Sequence, residues 1–139
     1  MKAEDLMVGD IVRVNKNVCI RKGTIVIIRG IFADNIFPEK GFRGSVECIA
    51  IDDEDENNCG VWAEHLEPIP ITPEILEKNG FINGEFYAES HIEDWQIMSD
   101  GSHLAARSER GWCIDIPCRY VHELQHCLKM TGIEKEIIL

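Results

Sequence analysis

The segment with the clearest chemical potential is His122-Glu123-Leu124-Gln125-His126, close to the end of the 139-residue chain. On a helix, histidines four residues apart point to the same side and can share one zinc ion. The glutamate between them can act as general base on a zinc-bound water. One hypothesis is therefore a zinc-dependent metallopeptidase, with His122 and His126 as metal ligands and Glu123 as the catalytic residue.

A catalytic zinc normally takes three protein ligands, so this motif needs a partner elsewhere in the chain. The extended form of the motif requires a glycine and a histidine at the positions of Lys129 and Gly132, which excludes that form. A helical wheel also puts both histidines opposite the apolar arc of the helix, on a face that we expect to be solvated. We therefore expect no metal, no cofactor and no catalytic residue here, with zinc as the alternative.

Two further zinc arrangements stay open on residue types alone. An upstream side chain such as His103, Asp115 or Cys118 could complete a catalytic site. A structural zinc could instead combine Cys113 or Cys118 with the two histidines, although zinc fingers have a longer connection between their cysteine and histidine pairs.

The six cysteines, at positions 19, 48, 59, 113, 118 and 127, include no Cys-x-x-Cys pair. The N-terminus also lacks the continuous apolar stretch of a signal peptide or membrane span. We therefore predict a cytoplasmic protein without membrane contact, whose thiols are reduced and mostly buried.

The formal net charge of −11 argues against a general nucleic-acid binder, because phosphate attracts proteins that are rich in lysine and arginine. The charge is uneven, since the first 30 residues hold six basic against three acidic groups. Contact with phosphate or with an acidic protein is possible through this basic set, and so is a plain solvated surface. The candidate binding residues are Arg13, Lys16, Arg21, Lys22 and Arg29.

Residues 1–70 show several short β-branched runs, at 10–14, 24–31, 45–51 and 61–62, separated by polar turns. Close spacing of this kind predicts a small barrel or curled sheet. The opening Val8-Gly9-Asp10-Ile11-Val12-Arg13-Val14 resembles SH3-like barrels of the type that carries the ribosomal KOW element. That resemblance implies a fold found in both nucleic-acid and protein partners.

Residues 71–139 are predicted to form a second, α+β module. Thr72-Pro73-Glu74 is a helix start and Asn79-Gly80 a helix stop. Strand patterns follow at 85–89, 94–99, 102–107 and 111–116, which predicts an antiparallel meander. A second helix is expected from Pro117 to about Met130, and the tail 134–139 could add an edge strand. The fold class is therefore α+β: an SH3-like barrel, a helix, a meander and a C-terminal helix.

Two phrases, at residues 66–81 and at Tyr120-Val121-His122-Glu123-Leu124-Gln125, resemble uncharacterised proteins of phages, prophages and mobile elements of Bacteroides-type gut bacteria. The resemblance implies a genomic setting and a two-part layout. We expect a non-catalytic module that binds a protein partner, because of this resemblance, the acidic net charge and the missing third zinc ligand. Zinc-dependent peptidase activity and nucleic-acid contact through the basic barrel are the alternatives.

Overall fold

The computed structural model describes residues 1–37, 42–53, 57–90 and 93–139, without the side chains of 33–37, 42 and 43. Within these ranges the chain divides into two units, Met1–Ile69 and Pro70–Leu139. Both units are built mainly from curled antiparallel sheets, and two α-helices accompany them, which agrees with the predicted α+β class. In the part of the chain that the structure describes, no helix is long and apolar enough to cross a membrane.

The first unit holds a five-stranded antiparallel sheet in the order β4-β3-β2-β1-β5. Its central pairing sets Val12 opposite Val26, and Ile28 lies opposite Cys48 on the next strand. A 3₁₀ turn at Ala63–His65 precedes the last strand. The strands are β1 Ile11–Val14, β2 Ile25–Phe37, β3 Phe42–Ala50, β4 Cys59–Trp62 and β5 Leu66–Glu67.

Alternation along these strands produces a buried cluster in the first unit. Side chains of one parity face inward, so β-branched residues at every second position meet their partners across the sheet. Each buried valine or isoleucine contributes about 1.5–3 kcal/mol through the loss of apolar surface to water. The cluster comprises Ala3, Leu6, Val12, Val14, Val26, Ile28, Val46, Cys48, Val61, Ala63 and Leu66.

The second unit holds a four-stranded antiparallel meander in the order β6-β7-β8-β9, together with two helices. Helix α1 begins as predicted, because the Thr72 hydroxyl accepts a hydrogen bond from the Ile75 amide at 3.3 Å. Gly80 follows the helix with φ of +84°, a conformation that glycine adopts without strain. The elements are α1 Pro73–Lys78, β6 Glu85–Ala88, β7 Trp95–Ser99, β8 His103–Ser108, β9 Cys113–Pro117 and α2 Val121–Met130.

One predicted boundary in the second unit is wrong, and the edge strand considered for the tail is absent. Pro117 ends β9 opposite His103, and the next amide, that of Cys118, donates to the Ser102 carbonyl at 3.0 Å. Helix α2 therefore begins at Val121 and not at Pro117. The tail forms no edge strand, because Ile138 pairs with the side-chain amide of Asn79 instead: its carbonyl accepts at 2.6 Å and its amide donates at 2.9 Å.

Candidate functional site

The His-Glu-x-x-His segment occupies the second to sixth residues of helix α2, and so is helical as the motif requires. Tyr120 is the N-cap residue and has an extended backbone. The Glu123 carboxylate turns back to the helix start, where its Oε2 accepts from the Arg119 amide at 2.7 Å and the Tyr120 amide at 3.1 Å. This is the glutamate half of a capping box, in which an acid in the first turn satisfies free amides. The local geometry thus favours a capping role for Glu123 over that of a general base.

The two histidines do not share a solvated face. His122 is buried, with 6% of its surface exposed, so its predicted exposure is wrong. Its ring stacks against the Tyr120 ring, with centroids 5.9 Å apart, and meets the half-buried His126 ring edge-on at 5.7 Å. The helical wheel gave the wrong exposure for His122 because it considers only residues of the helix itself and leaves out the ring of Tyr120, which precedes the helix and covers His122.

The other candidate zinc ligands lie in different surroundings. His103 and Asp115 form a pair across β8 and β9, with Nδ1 and Oδ1 2.8 Å apart, and both side chains are exposed. Cys113 is exposed and Cys118 is buried. Burial, with the Glu123 charge as a smaller cause, raises the pKa of Cys118 to about 12. Among the described residues, no three His, Cys, Asp or Glu side chains are grouped in a way that could hold a metal ion.

The five basic candidates of the first unit are divided between a loop and a sheet. Lys16, Arg21 and Lys22 are exposed in the loop that joins β1 to β2. Arg13 pairs with Glu67 at 3.5 Å, across the β1 to β5 ladder. Since Arg13 lies opposite Ile25, Arg29 is four residues farther along β2, or ~13 Å away. Three of the five candidates therefore share one exposed loop, while the two arginines lie apart on separate strands.

The cysteines depart from the predicted reduced state at one place. Cys19, in the same loop, is joined by a disulfide to Cys59 at the start of β4. Cys48, Cys118 and Cys127 are free and buried as expected, whereas the free Cys113 is exposed. Sequence reasoning missed this bridge because the two cysteines are 40 residues apart and only the folded sheet brings them together.

A third feature is the outward face of the meander, which we call the outer sheet face. Strand registers place alternate residues of β6, β7, β8 and β9 on it. All of them are exposed or partly exposed, while Ala88, Trp95, Ile97, Leu104 and Ala106 on the opposite face are buried. The outer sheet face comprises Glu85, Tyr87, Gln96, Met98, His103, Ala105, Arg107, Cys113, Asp115 and Pro117.

Polar side chains on this face are ordered by their neighbours. Tyr87, Gln96 and Arg107 stand in one row across three strands. The Gln96 amide donates to the Tyr87 hydroxyl at 2.9 Å, and that hydroxyl donates to the Glu85 carboxylate at 3.2 Å. The hydrogen bond to Glu85 and its negative charge raise the pKa of Tyr87. Tyr87 is nevertheless 69% exposed, so it presents a fixed aromatic surface to solvent.

One end of this row opens into a depression of about 570 Å³. Tyr87, Gln96 and Arg107 line it, and three exposed acids, Glu89, Asp94 and Glu109, border it. With Glu85 and Asp115, the face and its border carry five carboxylates against one arginine. The surface is therefore anionic, with an exposed aromatic side chain on its edge strand β6.

Sequence reasoning found the strands but not this surface. The available signal was the alternation along β9, which places Cys113 and Asp115 on one face of the strand and Ile114 and Ile116 on the other. Register between strands, which sets Tyr87 beside Gln96, follows only from the folded hairpins.

Comparison of the chain with protein family models, with curated proteins and with solved structures finds no match to any of them.

Proposed function

We propose that this protein is a non-catalytic binding module whose outer sheet face docks a basic segment of a protein partner. The observation that carries the proposal is an uncovered four-stranded face with Tyr87 and Arg107 in one ordered row. Tyrosine and arginine are among the residue types that dominate binding energy at protein interfaces. Because Gln96 and Glu85 already hold the Tyr87 hydroxyl, little side-chain freedom is lost when a partner binds.

Charge selects the class of partner. Five carboxylates lie on or beside the face, and opposite potentials across an interface speed association and exclude wrong partners. A lysine or arginine side chain can lie over the exposed Tyr87 ring while the surrounding carboxylates balance its charge. The partner is therefore basic.

The capping role of Glu123 and the burial of His122 support a non-catalytic reading of the His-Glu-x-x-His segment. The resemblance of residues 66–81 to proteins of phages and mobile elements supports an accessory role in such an element, in the bacterial cytoplasm. Five antiparallel strands around a buried cluster support an SH3-like barrel as the first unit.

The test is nuclear magnetic resonance of the ¹⁵N-labelled chain during titration with a short peptide rich in lysine and arginine. A glutamate-rich peptide of equal length is the control. We expect shifts confined to the outer sheet face, for the basic peptide alone, that weaken as salt is raised. Shifts that are spread over both units, or equal for both peptides, would refute docking at this face.

Variants sharpen the test because the face holds groups of both signs. Asp115→Asn should weaken binding of the basic peptide several-fold, whereas Arg107→Gln should strengthen it by removing a like charge. Glu134→Gln, which removes an exposed carboxylate from the tail, is the matched control and should leave binding unchanged. Equal effects of the two carboxylate variants would mean that only net charge matters.

Nucleic-acid contact through the loop between β1 and β2 is the second candidate, since Lys16, Arg21 and Lys22 are exposed there together. Phosphate binding through these cations predicts retardation of DNA or RNA in a gel that is lost at high salt and weakened by Arg21→Glu. Free migration of both nucleic acids at low salt would remove this candidate.

A further inference from the structure

A disulfide ties the loop between β1 and β2 to the start of β4. Cys19 is exposed within the loop, and Cys59 is partly exposed at the start of β4. Their Cα atoms are 6.6 Å apart, within the range that a disulfide spans without backbone movement. Lys16, Arg21 and Lys22 lie within three residues of Cys19, so this bridge fixes the basic part of the loop against β4.

A third cysteine stands next to the bridge. Cys48 lies directly opposite Cys59 in the β3 to β4 ladder, and its Sγ is 3.5 Å from the Cys59 carbonyl oxygen. Cys48 is fully buried, and burial, with Glu47 as a smaller cause, raises its pKa to about 11. On the order of one Cys48 side chain in ten thousand is therefore thiolate at pH 7, and only the thiolate attacks a disulfide. Cys48 therefore competes poorly with Cys19 for a disulfide bond to Cys59.

We propose that Cys19 and Cys59 form a reversible modification site, at which a low-molecular-weight disulfide such as oxidised glutathione controls the attachment of the basic loop. The exposed Cys19 is the residue that a small disulfide can reach, and Cys59 is the resolving residue. The bridge in the structure is the oxidised state of this site.

Oxidation takes two exchange steps. The Cys19 thiolate attacks one sulfur of oxidised glutathione, whose sulfur–sulfur bond breaks and releases one glutathione thiolate. The Cys59 thiolate then attacks Cys19 Sγ, the mixed disulfide breaks, and the second glutathione thiolate leaves. The two protein thiols have lost two protons and two electrons, and oxidised glutathione has gained the electrons as two reduced molecules.

Reduction releases the loop from β4 without removing its other bonds. The Lys22 amide still donates to Asn17 Oδ1 at 2.8 Å, and the Gly23 amide to the Val14 carbonyl at 2.7 Å. The Cys19 Sγ atom lies 3.5 Å from the Gly60 carbonyl oxygen, which can accept a hydrogen bond from the reduced thiol. The reduced loop therefore stays folded at its base and loses its fixed point at the tip.

The experiment is thiol counting on the full chain after equilibration with reduced or oxidised glutathione, followed by peptide mapping. We expect six thiols in the reduced chain and four in the oxidised chain, with the bridge mapped to Cys19 and Cys59. Amide exchange at residues 16–22 should be at least about tenfold faster in the reduced chain, because the tip is then held by local bonds alone.

Two variants are compared with the wild-type chain. Cys19→Ser should stay at five thiols in both buffers and show the fast exchange in both. Cys113→Ser, at the exposed free cysteine, should lose one thiol and keep the response. Six thiols after oxidation, a bridge between Cys48 and Cys59, or equal exchange in the two states would each overturn the proposal.

Discussion

Replacing Glu123 separates the two roles that its position suggests. In Glu123→Ala the amides of Arg119 and Tyr120 lose an acceptor at 2.7 and 3.1 Å, and the helix loses a negative charge at its N-terminus. Loss of such a cap costs about 1 kcal/mol, and the charge near the helix dipole adds about 0.5 kcal/mol. We therefore expect Glu123→Ala to lower the free energy of unfolding by about 1.5 kcal/mol. Glu123→Gln keeps an oxygen acceptor and should lose about half of that.

Urea unfolding, followed by circular dichroism and tryptophan fluorescence, measures this difference. With an m-value of about 1.5–2 kcal/mol/M for a chain of this size, the midpoint should fall by just under 1 M in Glu123→Ala. Glu134→Ala is the matched control, because it removes an exposed carboxylate outside helix α2. It should move the midpoint very little.

Unchanged unfolding of Glu123→Ala would refute the capping role. A catalytic glutamate gives the opposite pattern, because residues placed for chemistry commonly cost stability and their replacement often raises it. Peptidase activity that vanishes in Glu123→Gln would then restore the zinc hypothesis.

Three further outcomes are expected. Asn79→Ala should lower the free energy of unfolding by about 2 kcal/mol, since it removes two hydrogen bonds to the backbone of Ile138 that are each worth about 1 kcal/mol, and urea unfolding measures this loss. Burial, with the Lys16 charge as a smaller cause, lowers the pKa of His65 below its ordinary 6.5, so the neutral form is favoured in the folded chain. The contribution of neutral His65 to the free energy of unfolding should therefore be fully present above about pH 6.5 and decline as the pH falls below it. His65→Gln should remove this part of the decline in unfolding curves recorded from pH 7.5 to 5. Elemental analysis of the untagged chain should find no stoichiometric zinc, and zinc that disappears in His122→Ala would contradict the non-catalytic reading.

The sequence by itself determined the elements whose ends are set by capping residues next to them in the chain. Thr72, Pro73 and Asn79-Gly80 predicted helix α1, because a helix cap needs side chains only from the adjacent turn. Alternation predicted the meander, since the two faces of a strand differ at every second residue. The start of α2 was misplaced because the pairing of Pro117 with His103 is a contact between strands.

The tertiary structure alone decided what the chemically suggestive residues do. The sequence supplied a complete His-Glu-x-x-His match, yet folding buried His122 beside Tyr120 and turned Glu123 to the helix start. It also joined Cys19 to Cys59 and set Tyr87 in a row with Arg107. Periodicity and capping act over a few neighbouring residues and can be seen in the chain. Burial, strand register and sulfur pairing join distant residues, so they are settled only when the sheets close.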